Sequence, residues 1–510
     1  MSQTTDARAR RARGDGPGGG GGRAAGGGRE LASLLLGRAV FYGSLLLVAL
    51  SAVPYGSVEP WWANLFAAGV FALGCLWAVE SLLSGGLRLR REFRPLLLPP
   101  LALAAFSLFQ TVPLARDASA AGGVASALRG AISADPFETY DFALRLLALT
   151  LLCAMLLRFT SGRRRLTAVV LTVVGVGALS ALFGIIRQGA QDAEMGFVLP
   201  SLPRGLGYGQ IISRNQFAFM MEMALGLSLG VAAARAGRHA SSLLYLALAL
   251  PSGAALILAN SRGGILTLLC QLLFVFALAA PAWAGRRGDR RGRGEARPNP
   301  SGLGRRAVSL AVRAVAAAAL VALVSVAVVW VGGERVVSNL STVGEELAAQ
   351  DEAAATRWNT RRVDIWRATW EMFKDHPVAG VGLGGYWAAV PQYHDASGEY
   401  TPQQAHNDYL ELLASGGVTG SALLLCFLFF LLRRARATLH SGDPFRRAAT
   451  LGALAGLFGV AVHSLFDFGL HMTANAALFV ALVAVAAADV AGASENVDSG
   501  PGAAYISRGR

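Results

Sequence analysis

A polar cluster stands directly in front of a long apolar run near residue 410. The stretch QQAHNDYLELLASGGVTG (403–420) holds His406, Asn407 and Asp408, and the apolar sequence SALLLCFLFFLL follows it. Histidine changes its charge near neutral pH, so a positioned imidazole can take a proton from a reacting hydroxyl group. We interpret His406 as a candidate general base, with Asn407 and Asp408 as supporting residues.

Three arginines stand at the ends of other apolar runs. Arg214 opens the segment RNQFAFMMEMALG, with Glu222 two turns further on, Arg262 stands in ANSRGG, and Arg204 lies in the Gly- and Pro-rich segment before Arg214. An isolated arginine commonly reaches from a helix end to the membrane surface. This behaviour does not explain why several arginines occur on the same side of the membrane. The planar guanidinium matches phosphate oxygens and stays charged at any accessible pH, so we expect these arginines to bind a lipid diphosphate.

A further motif, HSLFDFGLHMTAN, spaces four polar residues four positions apart. If the helix is continuous there, all four lie on one face of it. Histidine and aspartate can bind a metal, but HExxH is missing from the sequence, and a hydrogen-bonded link between two helices is the favoured interpretation. The four residues are His463, Asp467, His471 and Asn475.

The composition predicts that membrane helices position these residues. Hydrophobic residues make up 54% of the 510-residue chain and charged residues only 15%, which is well below the charged fraction of soluble domains. Crossing the bilayer takes roughly 20 apolar residues. About twelve segments qualify, and we predict an all-α polytopic membrane protein with spans near 31–53, 61–83, 95–115, 139–158, 166–186, 215–234, 241–260, 263–284, 307–331, 413–432, 446–468 and 470–490.

The placement of the basic residues predicts the orientation of these spans. The net charge is +14, which in a soluble chain would suggest nucleic acid as a partner. Most of the arginines, however, fall on alternate loops, and by the positive-inside rule both termini face the cytoplasm. His406 and the candidate arginines then lie on the outer side. We therefore expect contacts with membrane lipid and no nucleic-acid partner.

The chain divides at the predicted spans. A Gly- and Arg-rich tail (1–30) is too polar to bury a core and precedes helices one to nine (31–331), which include a basic cytoplasmic linker (285–306). One long outer loop (332–412) leads to helices ten to twelve (413–490) and a cytoplasmic tail (491–510).

The outer loop contains a predicted amphipathic helix in RRVDIWRATWEMFKDHP. Val363, Trp366, Trp370 and Phe373 fall at spacings of three and four residues, giving one aromatic face. Such a helix either lies flat in the membrane interface or packs on the outer surface of the protein itself.

Taken together, these motifs resemble the O-antigen ligase and Wzy-type polysaccharide polymerase superfamily. The resemblance rests on RRVDIWRATWEMFKDHPVAGVGLGGYW followed by HNDYLELLASGGVTGS, with SRNQFAFMMEMALG, ANSRGG and HSLFDFGLHMTAN as further blocks. It covers roughly residues 160–490. Where members of this superfamily often carry an NPN-like motif, this chain reads RNQ, which leaves the substrate subclass open.

The resemblance implies an inverting glycosyltransferase of the GT-C class, located in the bacterial inner membrane with its active site facing the periplasm. The donor would be a glycan on undecaprenyl diphosphate, and the acceptor another glycan or the core sugar of lipid A, with no metal or other cofactor. His406 would be the base or acceptor-orienting group, Arg262 a diphosphate ligand, and Arg214 or Arg204 the second. Glu222, His463 and Asp467 would be supporting residues.

A transporter or flippase for a lipid-linked or anionic substrate is the main alternative, because many spans with interior polar groups also suit one. Transporters usually bind their substrate near the bilayer midplane, often between two related halves. Here the polar residues gather towards one face, and no repeat relates the two halves. An enzyme is therefore the favoured interpretation.

Overall fold

The structure is a computed structural model that describes residues 20–86, 89–113, 131–190, 207–234, 239–291, 362–394 and 402–489. Within these ranges every regular element is helical. The α-helices are α1 (Gly20–Ser51), α2 (Pro60–Leu83), α3 (Arg94–Gln110), α4 (Pro136–Phe159), α5 (Arg163–Ala190), α6 (Arg214–Ala234), α7 (His239–Leu258), α8 (Arg262–Arg291), α9 (Arg362–Asp375), α10 (Tyr386–Ala389), α11 (Asp408–Leu439), α12 (Pro444–His463) and α13 (Thr473–Ala487).

In the part of the chain that the structure describes, eight helices are long and apolar enough to cross a membrane. They run through Gly28–Ser51, Pro60–Leu83, Arg91–Gln110, Pro136–Phe159, Arg163–Ala190, Arg214–Ala234, Asp408–Leu439 and Pro444–His463. Shorter apolar helices cover Ser242–Leu258, Arg262–Ala277 and Thr473–Ala487. The predicted span 307–331 lies outside the described residues. The all-helical membrane architecture is thus confirmed, while the count of twelve stays a prediction.

Several helix boundaries follow from capping residues in the sequence. Asp135 precedes Pro136, and its carboxylate accepts hydrogen bonds from the backbone N–H groups of Phe137 and Glu138 at 3.1 and 3.0 Å. Asp443 caps α12 in the same way in front of Pro444. A side-chain acceptor at the N-cap satisfies amides that have no partner inside the helix, and proline fits the first helical position.

Three boundaries extend beyond the predicted segments. Helix α1 begins at Gly20, inside the segment predicted as a tail, and α8 continues through Arg291, inside the predicted basic linker. Helix α11 likewise begins at Asp408, five residues before the predicted start of the tenth span. Hydrophobicity alone predicted these limits, and a helix can continue beyond its apolar stretch into polar sequence.

The most extensive helix pair is α6 with α12, at the centre of the bundle. Each contributes two glycines four residues apart, Gly226 and Gly230 from α6 and Gly452 and Gly456 from α12. A Cβ atom at Gly226 would lie 2.5 Å from the backbone nitrogen of Gly456, and one at Gly230 would lie 2.3 Å from the Cα of Gly452. Small residues at this spacing let two membrane helices approach backbone to backbone.

One end of the bundle collects the starts of α6, α8 and α11 and the end of α12, and we call it the polar end. Asn215 of α6 contacts Asp467 just after α12, and the backbone N–H of Asp408 donates to the carbonyl of Ser464 at 2.9 Å. Gly263 of α8 lies against the imidazole of His463. The motifs singled out by sequence therefore meet at this end.

The opposite end is closed by ion pairs. Asp489 contacts Arg446 at 2.9 Å and also pairs with Arg90. Arg434 pairs with Glu92 at 3.0 Å. These contacts connect the chain after α13 with α11, α12 and the segment before α3.

Helix α9 is present where the amphipathic pattern predicts it. It packs against α11, and its residues Ile365, Ala368 and Met372 are buried. The Trp370 side chain, on the predicted aromatic face, remains 46% exposed. The buried face of the helix therefore differs from the predicted aromatic face, and what that aromatic face contacts stays a prediction.

The glycine-rich loop after α9 is hydrogen-bonded to a break in α11. At Gly417 the backbone has φ 62° and ψ −163°, which interrupts the helix. The N–H of Val381 donates to the carbonyl of Ala414, and that of Gly382 to Ser415, both at 3.0 Å, while the N–H of Val418 donates to Pro377 at 2.8 Å. The loop thereby fixes the first turns of α11, which follow His406.

Candidate active site

His406 occupies the residue before the N-cap of α11. Its side chain is 30% exposed, and its Nδ1 lies 3.3 Å from Oδ1 of Asp467. The next residue, Asn407, caps α11 by accepting hydrogen bonds from the N–H groups of Tyr409 and Leu410 at 3.1 and 3.0 Å. The imidazole therefore stands at a helix start with one ring nitrogen directed at a carboxylate.

Asp467 is buried and lies in the turn between α12 and α13. Its Oδ2 accepts a hydrogen bond from the side-chain amide of Asn215, and its Oδ1 accepts one from the backbone N–H of Phe468 at 2.9 Å. A carboxylate held in this way favours the tautomer of His406 that carries its proton on Nδ1. In that tautomer Nε2 has the lone pair that a general base needs.

A second histidine, His471, lies across the ring of Phe468 from His406. The Phe468 ring makes edge-to-face contacts with both imidazoles, at centroid distances of 4.8 and 5.8 Å. His471 Nε2 lies 3.6 Å from Asp408 and 3.5 Å from Glu411. Burial lowers the pKa of His471, Asp408 and Asp467 oppose the shift, and Arg145 adds to it.

Arg145 pairs with Asp141 at 2.5 Å, four residues earlier in α4. Asp408 also accepts a hydrogen bond from the hydroxyl of Ser464 at 2.7 Å. The polar end therefore carries a network of acids and bases from α4, α11 and the turn after α12. Among the described residues no group of three or more His, Cys, Asp or Glu side chains has an arrangement that could hold a metal ion.

Glu222 and His463 meet inside the bundle, apart from the imidazoles of His406 and His471. Glu222 Oε1 lies 2.7 Å from His463 Nδ1, and both side chains are buried. Phe219 stacks on the imidazole with a centroid distance of 4.1 Å. The pair thus joins α6 to α12 beside the first turn of α8.

Arg214 and Arg262 are the first residues of α6 and α8, and both side chains are exposed. Arg214 directly precedes Asn215, the partner of Asp467. Arg262 directly precedes Gly263, which contacts His463. Because a helix N-terminus carries partial positive charge, both arginines add to a field that favours an anion. Arg204 lies outside the described residues.

The predicted single face of HSLFDFGLHMTAN does not form, because α12 ends at His463. Asp467 lies in the following turn, His471 in a short 3₁₀-helix (Gly469–His471), and Asn475 in α13. Asn475 donates hydrogen bonds to the carbonyls of Gln216 and Gly469 at 2.9 and 3.0 Å. The bend lets Asp467 reach both Asn215 and His406.

Two residues of this site, Asn215 and Glu411, were not singled out by sequence reasoning. Asn215 holds Asp467, and Glu411 contacts His471 and the backbone before His406. Only their positions in the sequence could have indicated these residues. Asn215 directly follows Arg214, and Glu411 lies three residues after Asp408, on the same helix face.

Residues 246–425 match the family model Wzy_C, described as O-antigen ligase. This segment is similar to the O-antigen ligase family. The match confirms the resemblance over about a third of the chain. No curated protein matches the chain.

The O-antigen ligase segment contains Arg262, His406, Asn407 and Asp408. Asp467 and Asn215, which position the imidazole, lie after and before it. The similarity of this segment to the O-antigen ligase family supports an enzyme of the ligase or polymerase type, and the eight long apolar helices among the described residues indicate a multi-pass membrane protein.

Proposed function

We propose that this protein is a membrane glycosyltransferase that transfers or polymerises a glycan carried on undecaprenyl diphosphate. The observation that carries the proposal is the hydrogen bond between His406 and Asp467 at the same end of the bundle where Arg214 and Arg262 begin their helices. A base and two guanidinium groups at one end of the bundle suit transfer from a diphosphate carrier.

Arg262 and Arg214 bind the diphosphate of the donor, and Arg204 is the third candidate for this role. Guanidinium groups pair with phosphate oxygens in a bidentate manner. Their positive charge stabilises the transition state more than the bound donor, because negative charge grows on the leaving oxygen as the diphosphate departs. The arginines supply this stabilisation without a metal or a nucleotide.

His406 takes the proton of the acceptor. The acceptor hydroxyl oxygen attacks the anomeric carbon of the glycan from the side opposite the diphosphate. The bond from that carbon to the diphosphate oxygen breaks, and undecaprenyl diphosphate leaves with the bonding electrons. The hydroxyl proton moves to Nε2 of His406, and Asp467 stabilises the imidazolium. The new glycosidic bond has inverted configuration.

The acceptor is another lipid-linked glycan in the polymerase form of this reaction and the core sugar of lipid A in the ligase form. The reaction takes place at the periplasmic face of the inner membrane, with both chain termini in the cytoplasm. Asn407, Asp408, Glu222 and His463 support the site by fixing the helix ends that carry it.

A strain that lacks this protein tests the proposal through its glycans. Accumulated long lipid-linked polymer with uncapped core indicates a ligase, and single repeat units indicate a polymerase. Complementation with His406→Ala or Arg262→Ala should lower product formation at least about a hundredfold. Arg367→Ala, which removes an exposed arginine of α9, is the matched control and should restore the wild-type product.

Two results would contradict the proposal. Product ladders of normal length from both His406→Ala and Arg262→Ala would remove the assigned site. Movement of a solute across proteoliposomes, with no new glycosidic bond formed, would instead favour a transporter.

A further inference from the structure

The peptide groups of Ala405 are held by two different helices. The backbone N–H of Ala405 donates to Oε2 of Glu411, in α11, at 2.7 Å. Its carbonyl oxygen accepts a hydrogen bond from the indole Nε1 of Trp366, in α9, at 2.9 Å. Ala405 itself is 0% exposed and packs in a small core with Met372, Tyr386 and Ala414. The residue before His406 is therefore fixed by a carboxyl acceptor on one side and an indole donor on the other.

The residues after His406 are fixed as well. Asn407 caps α11, and Asp408 bonds through both its backbone N–H and its carboxylate to Ser464, at 2.9 and 2.7 Å. His406 is thus the one residue between two immobilised backbone segments.

The backbone of His406 has an unfavourable conformation. Its φ is +53°, in the left-handed region that residues with a Cβ atom rarely adopt. Such a conformation persists only where the surrounding structure over-determines it, and it is common at functional sites. The two hydrogen bonds of the Ala405 backbone hold this conformation from the N-terminal side.

We propose that Glu411 and Trp366 are positioning residues that hold the Ala405 peptide and thereby direct the His406 imidazole towards Asp467; this rests on the proposed role of His406 as base. Both act through His406 and not on the substrate, because the atoms that reach Ala405 are already hydrogen-bonded to it. The proposal also gives α9 a function, since its Trp366 connects the outer helix to the base.

Positioning of this kind acts on the rate of the chemical step. A displacement of about 1 Å at a reacting group can lower a rate on the order of a hundredfold. The diphosphate site at Arg214 and Arg262 does not depend on Ala405. Loss of the positioning contacts should therefore lower kcat and leave the KM of the lipid-linked glycan nearly unchanged.

Paired substitutions separate positioning from other roles. Trp366→Phe removes the indole N–H and keeps an aromatic ring, and Trp370→Phe makes the same change at an exposed position of the same helix. Glu411→Leu removes the acceptor of the Ala405 N–H. Glu411→Gln keeps an oxygen acceptor there but removes the carboxyl group that faces His471, so it distinguishes the Ala405 contact from an effect through His471.

The assay uses the full-length protein in liposomes, with lipid extract from the deletion strain as substrate because it holds accumulated donor and unmodified acceptor. We expect Trp366→Phe and Glu411→Leu to lower kcat about ten- to a hundredfold, with KM within about twofold of the wild type. Glu411→Gln and Trp370→Phe should keep kcat within about threefold. Thermal unfolding in detergent checks that each variant is folded. If Glu411→Leu does not fold, the comparison of kcat between Trp366→Phe and Trp370→Phe tests the proposal.

Wild-type kcat in Trp366→Phe would overturn the proposal, as would a loss in Glu411→Gln equal to that in Glu411→Leu. His406→Ala keeps the two proposals apart. If His406→Ala is inactive while the positioning variants are fully active, only the role of Glu411 and Trp366 fails. If His406→Ala is fully active, the proposed function fails.

Discussion

The imidazole of His463 and the carboxyl group of Glu222 form a hydrogen bond of 2.7 Å inside the bundle, where neither side chain reaches the surface. The bond joins α12 to α6, and Gly263 of α8 lies against the other edge of the imidazole. Three helices that reach the polar end are therefore connected through one buried polar pair.

Removing one partner of this pair should destabilise the protein. Glu222→Ala or His463→Ala leaves a buried polar group without its partner, at a cost of about 1–3 kcal/mol. Glu222→Gln keeps an oxygen that can accept from His463 and should lose less. Unfolding in detergent measures the difference, and an Ala variant as stable as the wild type would show that the pair contributes nothing to stability.

The close approach of α6 and α12 should not tolerate a larger side chain. Gly226→Leu would place a side chain where the backbone of Gly456 lies, and overpacking costs about 1–3 kcal/mol or more. Gly175→Leu in α5 is the matched control, because a Cβ atom there meets nothing within 4 Å. The melting temperature should fall for Gly226→Leu only. Equal shifts in both would argue against a tight helix contact.

Asp467→Asn should impair the reaction more than it impairs folding. A neutral amide stabilises an imidazolium poorly and does not enforce the Nδ1-protonated tautomer of His406, so kcat should fall on the order of a hundred- to ten-thousandfold. Asp364→Asn, at an exposed position of α9, is the control. Turnover of lipid-linked glycan in proteoliposomes gives the rate. An unchanged kcat in Asp467→Asn would mean that His406 works without this carboxylate.

The break in α11 should require glycine. At Gly417 φ is +62°, and a Cβ atom would lie 2.3 Å from the carbonyl oxygen of Val378. Gly417→Ala should therefore cost about 1–3 kcal/mol and loosen the loop before α10. Gly442→Ala, where a Cβ atom has open space, should leave the unfolding midpoint unchanged. Limited proteolysis of the loop provides a second measurement.

Much of the architecture could be predicted from local sequence. Long apolar runs gave the membrane helices, and the spacing of Trp366, Trp370 and Phe373 gave α9. These features depend on residues within one or two turns of each other, which is the range over which a sequence pattern carries information.

The assembly of the site could not be predicted in the same way. The contacts of Asp467 with Asn215 and of Ala405 with Trp366 join distant parts of the chain. The motif around His463 suggested one continuous helix, whereas α12 ends there. Where a helix stops and turns depends on tertiary contacts such as that of Ser464 with Asp408, which no local pattern contains.

The order of His406 and Asp467 along the chain has a consequence for biosynthesis. His406 meets its carboxylate partner only after the ribosome has delivered α12 and the turn that follows it. A nascent or truncated chain that stops before this turn would hold Arg214, Arg262 and the imidazole yet lack the group that orients the imidazole. Such a fragment would be inactive even when it is inserted in the membrane.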